Sequence, residues 1–129
     1  MKTYISGKIT GLELSEAFDN FKNAENHLNS NGHNAINVME IFRNIPNWTW
    51  KDYMIADIKE LLECESIFML SNWRDSKGAT IENSVAKGLG LTIIYSCDKE
   101  GCYKPTHDLQ CEEHCIRKFV FDDEEEETV

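Results

Sequence analysis

"SIFMLSNWRDSKGATIENSVAKGLGLTIIY", residues 66–95, holds two strand-length apolar runs with a glycine-punctuated segment between them. Ser66–Leu70 is unbroken in its apolar character, as a strand buried on both faces would be, and Leu91–Tyr95 repeats the pattern. The segment between them opens on a loop containing Gly78, runs on at helical spacing, and stops at Gly88 or Gly90. Strand, helix, strand within thirty residues predicts a parallel βαβ unit. One residue fits this packing segment poorly. Glu82 stands beside Ala79, Thr80, Ile81 and Val85, so its carboxylate is either solvated on the outer face or held inside for chemistry.

The same rhythm extends upstream. Lys2–Ser6 has strand composition and is closed by the glycines of "GKITG". Ala17, Phe18, Phe21, Ala24, Glu25 and Leu28 recur at helical spacing, with Ser15 available as a cap and Asn31-Gly32 as a stop. Ala35–Val38 is a second strand candidate. Residues 39–49, with Pro46 and Trp48, read as an irregular apolar loop, and 50–63 as a helix. The whole predicts an α/β fold of three layers, Rossmann-like or flavodoxin-like, with a parallel sheet of four to five strands and right-handed crossovers. A chain of 129 residues suits one domain, here 1–121, followed by an acidic, disordered tail at 122–129.

Formal charge is 13 − 23 = −10, and Asp122–Glu127 alone supplies six of the negative charges. This balance argues against a nucleic-acid surface, which needs clustered Lys and Arg. It leaves room for a small phosphorylated ligand. No export signal or membrane-length apolar run is visible, so the expectation is a cytoplasmic protein with reduced thiols and no membrane partner.

Ligands of open parallel sheets bind beyond the carboxyl ends of the strands. Two connections there carry unusual residues. "YISGKITG" offers Tyr4, Gly7, Lys8 and Thr10, and "NWRDSKGATIE" offers Ser76, Lys77, Gly78 and Glu82. A helix N-terminus near Glu82 is expected to lower its pKa and keep it ionised. Asp57, between Ala56 and Ile58, reads on bare sequence as a solvated helix carboxylate. Trp48 and Trp50 read as core packing ahead of base stacking.

These three motifs, in this order and at this spacing, resemble the nucleoside 2-deoxyribosyltransferase superfamily, which includes the 2′-deoxynucleoside 5′-phosphate N-hydrolases. The likeness covers 1–95 and is nearest to the superfamily's short bacterial and phage branch. It implies that Glu82 is the nucleophile at C1′, Tyr4 the phenol that orients it, and Asp57 a contact to sugar hydroxyls or an aid to base departure. It implies a 5′-phosphate contact for Ser76, with Asp75 as the competing alignment. Lys8 stands where relatives carry Ser or Pro, and the longer loop makes Trp73 or Arg74 candidate substrate contacts. The implied activity is cleavage or transfer of an N-glycosidic bond in a nucleoside or nucleoside 5′-phosphate, in a homo-oligomer that needs no cofactor for catalysis. The competing reading is a nucleotide-binding module that sequesters or senses such a metabolite without turning it over. A third has the cysteine-rich end and acidic tail as a protein-interaction element on an inactive core.

Residues 96–121 differ in character. Cys97, Cys102, Cys111 and Cys115 lie near His107 and His114 at a spacing that resembles a structural zinc site without matching a standard one. Packing of Cys111 and Cys115 with Ile116 and Phe119 as small apolar groups is the favoured alternative.

Overall fold

A computed structural model describes residues 1–96. The cysteine cluster, the short helix expected at 108–118 and the acidic tail lie outside the described residues. Strand β1 (Lys2–Ser6) leads to helix α1 (Leu14–Ser30) and strand β2 (Asn34–Ile36). The short helix α2 (Val38–Ile41) and the long helix α3 (Trp50–Leu62) come next. Strand β3 (Ser66–Met69), a 3-10 turn (Trp73–Asp75), helix α4 (Lys77–Leu89) and strand β4 (Thr92–Tyr95) complete the order. All pairings are parallel and the strand order is β2-β1-β3-β4.

This order reverses direction between β1 and β3. Right-handed crossovers then put α1 on one face of the sheet and α3 with α4 on the other. The buried stripe of α1, Ala17, Phe21, Ala24 and Leu28, packs into one core with Ile5, Phe68 and Ile94. Beneath the opposite face, Tyr4 pairs in register with Ile67 and Ser6 with Met69. Side chains alternate along a strand, so Tyr4 and Ser6 share the face that looks toward α3 and α4.

Several boundaries shift for identifiable reasons. Val38 leaves the strand and opens α2, because the Asn37 side chain accepts a hydrogen bond from the Met39 N–H at 3.0 Å and caps a helix there. Ser15 does not cap α1; it is the second helical residue, and Glu13 occupies the cap position without a side-chain bond. Helix α3 has the stronger start, a capping box in which Thr49 and Asp52 bond each other's backbone N–H. Helix α4 starts on the Ser76 hydroxyl, which accepts from the Ala79 N–H at 3.1 Å, and ends at Gly90 in the left-handed region, φ 75°.

Between α2 and α3 the chain makes two left-handed steps, at Asn44 (φ 60°) and Asn47 (φ 71°), which asparagine tolerates better than most residues. Trp48 packs in that loop, 5.1 Å edge-on from Tyr53 and 6.0 Å from Phe42. The Tyr53 hydroxyl accepts from the Ile45 N–H at 3.0 Å and pins the loop to α3. Among the described residues no helix is long and apolar enough to cross a membrane.

Gly7 ends β1 where the chain passes Leu70 so closely that a Cβ at position 7 would lie 2.8 Å from the Leu70 Cβ. No rotamer change relieves a clash with a Cβ. Gly7→Ala is expected to cost about 1–3 kcal/mol as overpacking, read as a lower urea midpoint with an unchanged m-value.

Candidate active site

At the carboxyl end of β1, beside the point where the strand order reverses, a cavity of about 710 Å³ opens between the sheet, α3 and α4. Glu82 lies in its wall, only 5% exposed. Both carboxylate oxygens are engaged. The Tyr4 hydroxyl donates to Oε2 at 2.8 Å and the Ser6 hydroxyl to Oε1 at 2.7 Å. Tyr4 was expected from the sequence and Ser6 was not. The signal was present, because residues two apart on a strand share a face.

Asp57 corrects an expectation. It is 5% exposed rather than solvated, and it lines the same cavity. Arg43 bridges it, with Nη2 at 3.3 Å from Oδ2 and 3.5 Å from Oδ1. The guanidinium also lies 4.5 Å over the Tyr53 ring, a cation–π contact. Arg43 is the second functional candidate that sequence reading missed. It sits in an irregular loop, where no periodicity tells which way a side chain turns.

Burial sets the charge states. It pushes the Glu82 carboxyl up to about 7, outweighing the hydroxyl of Ser6, while the charge of Asp57 adds to the rise. The expected lowering by the helix terminus is overturned. Glu82 is the sixth residue of α4, and the field of a helix end fades within its first turn. Burial likewise lifts Asp57 to about 6, with Arg43 opposing. Tyr4 is raised well above the usual phenol value, by burial first and the Glu82 charge second. It stays protonated and acts only as a donor.

The other candidates divide. Gly7, Ser76 and Gly78 line the cavity, as do Asp75 and Lys77. Lys8 and Trp73 are not among its lining residues. Lys8 contributes its backbone N–H to Asn72 Oδ1 at 3.0 Å, and its side chain runs past Gly11. Trp73 packs 5.8 Å from the Tyr95 ring, and Arg74 lies over Trp73 at 4.6 Å. Among the described residues no group of three or more His, Cys, Asp or Glu could hold a metal ion.

The raised Glu82 pKa links the site to stability. Between pH 4.5 and about 7 the unfolded chain has released this proton and the folded chain retains it, so stability falls as pH rises through that window. A displacement of this size corresponds to at most about 3 kcal/mol. Glu82→Gln removes the titration. The Tm difference between variant and parent is expected to move in the variant's favour by about 5 °C or more from pH 4.5 to pH 8, measured calorimetrically.

A family model described as "Domain of unknown function (DUF4406)" matches residues 1–95. No match was found among curated protein sequences. Among solved structures, a 2-deoxyribosyltransferase from Bacillus psychrosaccharolyticus is similar, with a TM-score of 0.59 at 16% identity. That alignment covers 84% of this chain and 76% of the other. A conserved protein from Enterococcus faecalis V583 aligns over 98% of this chain and 95% of its own, with a TM-score of 0.56 at 13% identity. The chain belongs to the DUF4406 family, and its fold is similar to that of the 2-deoxyribosyltransferase.

Proposed function

We propose that this protein breaks the N-glycosidic bond of a nucleoside or nucleoside 5′-phosphate, with Glu82 as nucleophile. The observation that carries the reading is the Glu82 carboxylate, desolvated in a cavity wall with each oxygen held by a strand hydroxyl. A carboxylate fixed in this way is prepaid for orientation, and its negative charge meets the cationic character that develops at C1′ as the base departs.

In the proposed sequence a Glu82 oxygen bonds to C1′ as the C1′–N bond breaks. The electron pair of the C1′–N bond leaves with the base, which takes up a proton from the Asp57 carboxyl or from solvent. Water then attacks C1′ of the glycosyl ester as the C1′–O bond to Glu82 breaks. Its hydroxyl goes to the sugar, its proton returns to Asp57 or solvent, and the carboxylate is restored; a second base in place of water makes the reaction a transfer. Tyr4 and Ser6 orient the carboxylate. Asp57, steadied by Arg43, contacts the sugar hydroxyls or assists the leaving base. The Ser76 hydroxyl and the Lys77 ammonium, both at the cavity, would receive a 5′-phosphate.

The test is incubation with 2′-deoxy- and ribonucleosides and their 5′-monophosphates, with and without a second base, and chromatography for free base or new nucleoside. Glu82→Ala is expected to slow release by on the order of 10³-fold or more. Tyr4→Phe, which removes one hydrogen bond to a charged group, is expected to slow it by about 10–100-fold. The rate at low substrate should rise with pH through about 7 as Glu82 ionises. Base release by Glu82→Ala at the parent rate refutes the nucleophile assignment. A ligand-induced rise in Tm with no product from any substrate favours the binding-module reading instead.

A further inference from the structure

We infer that the indole of Trp50 is the specificity platform of this cavity, the surface on which the planar base of a nucleoside or nucleotide stacks. The inference rests on the nucleoside reading above and deepens it.

Trp50, Met54 and Asp57 follow one another at spacings of four and three along α3, so they form one stripe of the helix. All three line the cavity. Exposure falls along the stripe from 40% at Trp50 to 9% at Met54 and 5% at Asp57. The wall therefore grades from an open aromatic ring at the rim, through a thioether, to a carboxylate at the floor. A ligand matched to it is polar at its inner end and flat and apolar-faced at its outer end. Nucleosides have that polarity, with a hydroxylated sugar and a π-faced base.

The distances along α4 agree. Gly78 and Glu82 are four residues apart, one turn or about 6 Å along the axis. A Cβ at Gly78 would lie 3.1 Å from Met54 Sδ and 3.9 Å from Trp50 Cζ2, so the bare backbone there lets the stripe close against α4. With C1′ held at Glu82, a base attached to it extends across this one-turn interval toward the indole. The ring now carries the Lys77 ammonium, 5.0 Å from its centroid. Lys77 is solvent-exposed on a flexible stem, and such a cation yields readily to a stacking base.

The experiment is calorimetric titration of the full chain carrying Glu82→Ala, which holds ligand without turnover, using a 2′-deoxynucleoside, its 5′-monophosphate and 2-deoxyribose 5-phosphate. Adding Trp50→Leu is expected to weaken the two base-bearing ligands about tenfold or more and to leave the sugar phosphate within about twofold. Trp50→Phe, which keeps a stacking face, is expected to recover most of the loss. Equal weakening of all three ligands, no weakening of any, or a Phe variant no better than Leu would overturn the inference while leaving the nucleoside reading intact. Failure of the Trp50-containing chain to bind either base-bearing ligand would overturn both.

Discussion

A single buried carboxylate organises this molecule. Glu82 is withdrawn from water by the packing of α4 on the sheet, and a withdrawn carboxylate must either be neutralised or be met by donors. Both happen here in part. Two hydroxyls reach its oxygens, while its affinity for a proton climbs to near neutrality. Every other polar group of the cavity takes its meaning from that balance. Arg43 brings the positive charge, Asp57 engages it, and Tyr4 is forced to remain a phenol. The site thus has little charge to spare.

The layout was legible in the sequence where packing alone dictates it. The run from Ser66 to Tyr95 shows two buried strands and a glycine-bounded helix because each element is long enough for its period to appear. Tyr4 and Glu82 stand out in the sequence itself, resemblance raises Asp57 beside them, and all three line one cavity. The region between β2 and α3 was not legible. Its path depends on an asparagine cap, two left-handed asparagines and a backbone bond to a tyrosine hydroxyl, none of which leaves a periodic trace. Arg43 was lost with it. Lys8 is a cation at a suggestive position whose backbone N–H bonds the neighbouring loop and which is not among the residues lining the cavity.

Electrostatics separated from sequence reading for a related reason. A helix terminus can be seen in a string of letters, whereas depth beneath the surface cannot. For Glu82 depth prevails over the dipole, and for Asp57 it turns a nominal surface carboxylate into a buried ion-pair member. The tryptophans divide on the same ground. Trp48 is absorbed by its aromatic neighbours in the loop, and Trp50, two residues later, is left at the rim of the cavity.

The pairing of β1 with β3 carries a consequence for folding. If β1 slid by one position, the places of Tyr4 and Ser6 would be filled by Thr3 and Ile5, or by Ile5 and Gly7. Either way Glu82 would be buried with at most one hydroxyl, and a buried acceptor left unmet costs about 1–3 kcal/mol. The buried carboxylate therefore favours one strand alignment, because the desolvation that raises its proton affinity also penalises a misthreaded sheet. Because side chains alternate along the strand, a one-residue slip removes Tyr4 and Ser6 from Glu82 together, and Thr3 replaces at most one of them.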